Sequence, residues 1–205
     1  TGEAGIGKSR LCMRFLKLTA IQGARCFEGR CYSTESLVPY SGITDALSSG
    51  IKGRDLLDLH GQWANELAGV LPQFVPHSEA EIRIEMDDRR RRLFEAFVQL
   101  FMRLGQKGPV AVFIDDFHWA DNSTIALVHF LARRLSDHPI LFLLALRWEE
   151  RARNATLRNF QSNIDGLSNA HTIRLAEMSS HEARELIRII NDRDQLSLTP
   201  EKEEY

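Results

Sequence analysis

Thr1-Gly2-Glu3-Ala4-Gly5-Ile6-Gly7-Lys8-Ser9 opens the chain and contains the pattern G-x-x-x-x-G-K-[ST]. A helical pattern follows at once, which is the setting in which this pattern forms a phosphate-binding loop. Gly2, Gly5 and Gly7 let the backbone take the positive-φ geometry that turns successive amides toward an anion. The positive end of a helix beginning near Gly7 adds to the attraction for α- and β-phosphates. Lys8 is a point charge able to reach the β- and γ-phosphates, and the Ser9 hydroxyl is a Mg²⁺ ligand. The nucleotide-binding set is therefore Gly2, Glu3, Ala4, Gly5, Ile6, Gly7, Lys8, Ser9 and Arg10.

A P-loop joins a buried strand to a helix, and only Thr1 precedes it here. The expectation is a P-loop α/β three-layer sandwich with a parallel sheet, seen as a fragment whose first strand is missing. The chain has 205 residues, room for one α/β domain and the beginning of a second. Hydrophobic residues make up 43% and charged residues 26%, the balance of a soluble globular protein. A formal charge of -2 gives no electrostatic reason to expect nucleic acid as a partner. The longest wholly apolar run, Ile140 to Leu146, falls far short of the roughly 20 residues that span a bilayer. Cys26 and Cys31 fall in one apparent strand, roughly 16 Å apart, too far for a disulfide. Reduced thiols in the cytoplasm are the simpler reading. The histidines show no metal-ligand spacing.

Working outward, Leu11, Phe15 and Leu18, with Cys12 and Leu16 beside them, predict a buried face for the first helix. Gly23 stops it, and Ala24 to Tyr32 alternates loosely as a strand. Two helical stretches are expected from Tyr40 to about Val70, then a loop at Pro72 and Pro76. A long helix from about Glu81 to Leu104 carries Leu93, Phe94, Phe97, Val98, Phe101 and Leu104 on one face. Its run Arg89 to Arg92 reads as a solvated surface paired with Glu85, Asp87 and Asp88 rather than as an anion site.

Val110-Ala111-Val112-Phe113-Ile114-Asp115-Asp116 is the second decisive stretch. Five apolar residues ending in two acids describe a parallel strand buried on both faces, with the acids at the ligand-binding end of the sheet. Asp115 would hold Mg²⁺, directly or through water, and Asp116 would position or deprotonate an attacking water. Both can serve only if the strand ends at Asp115, because successive strand residues point to opposite faces. Asp121 is the expected N-cap of the next helix, which turns Ile125, Val128, Leu131 and Leu135 inward. His118 and Trp119 either face the γ-phosphate or pack the loop. Ile140 to Leu146 is a further buried strand, and Arg147 at its end either senses the γ-phosphate or pairs with Glu149 or Glu150. His171 to Leu175 alternates as an edge-side strand. Ser179-Ser180-His181-Glu182 forms a capping box before Ala183, Leu186, Ile187 and Ile190. From Asn191 the chain turns polar and reads as a severed end.

Three segments in this order, Gly-Glu-Ala-Gly-Ile-Gly-Lys-Ser-Arg, Phe-Ile-Asp-Asp-Phe-His-Trp-Ala-Asp and Ala-Leu-Arg-Trp-Glu-Glu, carry a resemblance. The chain resembles the AAA-type ATPase module of the STAND class, the signal-transduction ATPases with numerous domains. Such modules occur in bacterial multidomain regulators, including large LuxR-type transcription factors and proteins carrying cyclase or kinase domains. The resemblance implies a five-stranded parallel sheet, with the P-loop strand between the strand ending at Arg147 and that at Ile173. It implies ATP and Mg²⁺, and slow hydrolysis used as a switch. Gly2 to Ser9 match Walker A, Asp115 and Asp116 match Walker B, and Arg147 matches the arginine after the fourth strand. Ala145 departs from the Thr or Ser usual two residues before that arginine.

The expected catalytic residues are Asp116, Lys8 and Arg147, and the expected metal ligands are Ser9 and Asp115. Residues 1–178 would form the ATPase core and 179–205 the start of a following helical region. The partners implied are ATP, effector and sensor domains of the same chain, and nucleotide-dependent self-association, with no membrane. The leading function is an ATP-hydrolysing switch in a larger signalling or transcription regulator. The alternatives are a non-hydrolysing nucleotide-binding scaffold and another P-loop enzyme, such as a GTPase or small-molecule kinase. No Asn-Lys-x-Asp base-reading motif supports a GTPase.

Overall fold

The computed structural model describes residues 1–57, 59, 61–71, 86–147, 149–150, 154–182, 184–185 and 187–189. Helix α1 spans Lys8–Ile21 and leads into β1, Arg25–Arg30. Three short helices follow where two were expected: α2 Ser41–Ser48, α3 Gly53–Leu57 and α4 Gly61–Ala68. Glycine at the first position of α3 and of α4 marks each new start. Helix α5, Met86–Gln106, precedes β2, Val110–Asp115. Then come α6 Asn122–Arg134, β3 Ile140–Leu144 and α7 Ala155–Asp165. The expected loop at Pro72 and Pro76, residue Glu85 and the chain from Asn191 lie outside the described residues, as do Ala183, Leu186 and Ile190.

The sheet is parallel, in the order β1-β2-β3, with Arg30 opposite Asp115 and Ile114 opposite Leu144. The central strand explains the layers. Val110, Val112 and Ile114 join the large core built from α2, α4, α5 and α6, while Ala111 and Phe113 pack with Leu16 of α1. Alternate side chains of one strand thus enter opposite cores, as two-sided burial requires. On α5, Leu93, Phe94, Phe97, Val98, Phe101 and Leu104 are all buried, as the helical period predicts. Arg90 from the arginine run lies over the Phe94 ring, its guanidinium 5.3 Å from the ring centre, within the reach of about 6 Å for a cation–π contact.

Two devices hold β1 in place. The outward amides of Glu28 and Arg30 donate to Ser49 Oγ at 3.0 Å and Asp45 Oδ2 at 2.8 Å, so α2 covers an edge that would otherwise be open. Helix α2 comes that close because residue 29 is glycine: a Cβ there would stand 2.3 Å from the backbone nitrogen of Ala46.

On the other side the expectation for α1 is overturned. Leu16 is buried, but Leu11, Phe15 and Leu18 are 51%, 39% and 49% exposed. Helix α1 rests on β1 and β2, and the sheet ends at β3 among the described residues, so no strand covers its remaining apolar side. Among the described residues the sheet has three strands, where the resemblance implied five. Residues 171–175 form no ladder; instead the Thr1 nitrogen donates to Ile173 O at 2.6 Å, and Leu175 N donates to Thr1 O at 2.8 Å. Gly2 makes a parallel bridge with Arg147. Thr1 and Gly2 therefore lie between Arg147 and the 173–175 stretch, in the order implied for the P-loop strand. The capping box closes as expected, Ser179 N donating to Glu182 Oε2 and Glu182 N to Ser179 Oγ, yet Ile187 beyond it is 58% exposed rather than inward.

Candidate nucleotide site

Gly5 and Gly7 both have positive φ, 78° and 99°, and a Cβ at either would meet nothing within 4 Å. Backbone conformation, not space, is what calls for glycine there. Gly7 is the N-cap of α1 and makes no side-chain cap, so the first amides of the helix remain available to an anion. Lys8 Nζ donates to the carbonyls of Gly2 at 2.8 Å and Glu3 at 2.5 Å. It bridges the loop on which it sits, holding an ammonium where phosphate oxygens can replace the carbonyls. Arg10, on the first turn, is exposed, as are Glu3, Ala4 and Gly5.

The acidic strand arrives opposite. Ser9 Oγ donates to Asp115 Oδ1 at 2.9 Å across 106 residues of sequence. The same oxygen accepts the Asp116 amide at 2.9 Å. Strand β2 ends at Asp115, and Asp116 turns into the left-handed region with φ 49° and ψ 37°. That break satisfies the condition under which both acids can face one site. It also starts the turn Phe117–Trp119, in which Phe117 N reaches Ala145 O at 2.8 Å. Asp121 then caps α6 through the amides of Ser123 and Thr124, both at 2.9 Å, and accepts from the Tyr40 amide and the Thr124 hydroxyl.

Sequence reasoning missed Arg30. Its Nε and Nη2 both donate to Asp116 Oδ2, at 2.9 and 2.5 Å. Parallel pairing puts the end of β1 beside the end of β2, so a basic residue closing the Ala24–Tyr32 segment was the available signal. His118 packs the loop: its side chain is fully buried, and its ring lies 4.6 Å from that of Trp119. Burial lowers its pKa against the opposing pull of Asp116, so the imidazole is neutral at pH 7. Arg147 joins the group from β3's end, its guanidinium 5.4 Å from the Trp119 ring centre.

Ser9 and Asp115 fit Mg²⁺. Both present hard oxygens, already 2.9 Å apart, and this ion takes one or two protein oxygens with the remainder from phosphate and water. Among the described residues no group of three or more His, Cys, Asp or Glu side chains forms a self-sufficient metal cage, and no helix is long and apolar enough to cross a membrane.

Residues 1–143 match the family model described as an AAA ATPase domain. Neither the curated proteins nor the solved structures compared with the chain give a match.

Proposed function

The chain belongs to the AAA ATPase domain family, and from that premise we propose that it is an ATP-binding, slowly ATP-hydrolysing switch module of a larger signalling or transcription regulator. The observation that carries this reading is the 2.9 Å contact between Ser9 and Asp115, which joins the phosphate loop to the acidic strand end. A phosphate-binding loop alone fits many proteins; one bonded to the first of two acids at a strand end suits hydrolysis.

In this reading residues Gly2 to Arg10 receive the nucleotide. The loop amides face the α- and β-phosphates, and Lys8 exchanges the Gly2 and Glu3 carbonyls for β- and γ-phosphate oxygens. Ser9 and Asp115 hold Mg²⁺, which when bound neutralises charge on the phosphates. Asp116 orients a water and takes its proton as the water oxygen bonds to the γ-phosphorus. The bond from that phosphorus to the β–γ bridging oxygen breaks, ADP keeps the bridging oxygen, and the proton passes on to solvent. Arg147, held over Trp119, stabilises charge on the transferred phosphoryl group.

Residues 1–178 form the ATPase core in this proposal, and 179–205 begin the helical region that follows. Membership of the STAND class is supported by the Asp-Asp-Phe-His-Trp-Ala-Asp segment and by Arg147 beside the start of the phosphate loop. Effector and sensor domains of the same chain are its partners, and three free cysteines suit the cytoplasm. Lys8→Ala and Ser9→Ala, made in the intact protein, should each abolish Mg²⁺-dependent ATP binding or turnover. Wild-type affinity and turnover in both variants would refute the assignment.

A further inference from the structure

Trp119 links two groups that the sequence marks for catalysis. The turn Phe117–Trp119 begins at Asp116, and its last residue carries the ring over which the Arg147 guanidinium lies, 5.4 Å from the ring centre. Hydrogen bonds fix the turn at both ends. Trp119 N donates to Asp116 O at 2.9 Å, and Phe117 N donates at 2.8 Å to the carbonyl of Ala145, two residues before Arg147. Phe117 and His118 are buried, and the His118 ring packs 4.6 Å from that of Trp119. The indole therefore has a set place beside the end of β3. The Arg147 backbone is set as well, by its bridge to Gly2 at the start of the phosphate loop. Only the long arginine side chain is left to be placed.

We propose that Trp119 is a positioning residue for Arg147: its ring seats the guanidinium on the turn that begins at Asp116, so that both groups meet the γ-phosphate together. The inference rests on the reading of Arg147 as the group that stabilises charge on the transferred phosphoryl.

An aromatic face suits this task better than a carboxylate does. It attracts the cation through the ring quadrupole and leaves the five N–H donors of the guanidinium for phosphate oxygens. A carboxylate would occupy those donors and offset the charge that the transfer needs. The ring also narrows the rotamer freedom of the side chain before the nucleotide arrives, so less is lost at the reacting step. ADP has no γ-phosphate for the seated guanidinium to meet. The seat thus acts on ATP turnover and not on ADP binding.

The test is steady-state ATP hydrolysis by the intact protein, with ADP affinity measured separately. The variants are Trp119→Leu and Trp119→Phe, each alone and combined with Arg147→Ala, and Arg147→Ala by itself. Trp119→Leu should lower kcat about three- to tenfold and leave ADP affinity within about twofold. Trp119→Phe keeps a weaker aromatic face and should fall between. In the Arg147→Ala background neither change should cost anything further, because the ring acts through the guanidinium. A merely structural role would lower kcat by the same factor with or without Arg147. Should Trp119→Leu lose its cooperative melt, the Trp119→Phe comparison decides. Wild-type kcat in the Trp119 variants, or a loss that persists undiminished with Arg147→Ala, overturns the seat. If turnover needs Lys8 and Asp116 but ignores Trp119 or Arg147, the seat fails and the ATPase reading stands. If wild type shows no turnover at all, the ATPase reading fails, and the seat with it.

Discussion

Asp55→Asn tests the packing of the scaffold beneath the site. Asp55 is 2% exposed, and its Oδ2 accepts from Arg25 Nη2 at 2.5 Å and from the Lys52 amide at 2.9 Å. Lys107 approaches Oδ1 at 3.6 Å. The Arg25 hydrogen bond is the largest cause that lowers the Asp55 pKa from its ordinary 3.8 to about 2, with burial opposing it. At 1.36 kcal/mol per pKa unit, that shift corresponds to about 2 kcal/mol of native-state stability. A depressed folded-state pKa places this contribution above the unfolded pKa. It is present at pH 7 and is lost as pH falls from about 4 through about 2. Asn keeps the shape and an acceptor but removes the charge. Urea unfolding at pH 7 should therefore show a loss of about 2 kcal/mol, and the melting temperature should fall by roughly 4–8 °C for a domain of this size. The difference between wild type and variant should shrink toward zero as pH approaches 2. ATP affinity should not change, because Arg25 lies at the start of β1 and the candidate site at its end. A variant within 0.5 kcal/mol of wild type at pH 7, or a gap that persists unchanged to pH 2, would show that the pair is not coupled as argued.

The two acids at the end of β2 should separate. Asp115→Asn is expected to weaken Mg²⁺-dependent ATP binding, whereas Asp116→Asn preserves binding and slows hydrolysis by ~10²-fold or more; equal loss of binding in both variants would remove Asp116 from a dedicated hydrolytic role. The uncovered apolar surface predicts that residues 1–205 alone self-associate in sedimentation experiments. Leu141→Lys, on the 42% exposed position of edge strand β3, should reduce that association; an unchanged sedimentation profile would place the contact elsewhere.

Local chemistry was legible in the sequence wherever neighbouring residues decide it. The glycine loop, the strand that must end at Asp115, the Asp121 cap and the Ser179 capping box all depend on residues within a few positions. What required the structure was pairing across the chain. Periodicity correctly marked Leu11, Phe15 and Leu18 as one apolar side of α1, but no periodicity says whether another element covers it. The same limit hid Arg30, whose contact with Asp116 follows from a parallel register joining segments 86 residues apart. Packing of the loop was one of the two alternatives for His118 and is the arrangement found, whereas the contact of Arg147 with the Trp119 ring was among neither of its two.

The backbone of Thr1 and Gly2 is stitched on two sides, to Arg147 and to residues 173–175. The 173–175 stretch runs within four residues of the Ser179 capping box. The start of the phosphate loop is thus joined by main-chain hydrogen bonds to the stretch that precedes the capping box. Any coupling between the loop and that segment would run through main-chain hydrogen bonds, with no side chain as intermediary. Substituted side chains along the 173–175 stretch would keep that join, whereas proline at Leu175 would remove the amide that donates to Thr1 O.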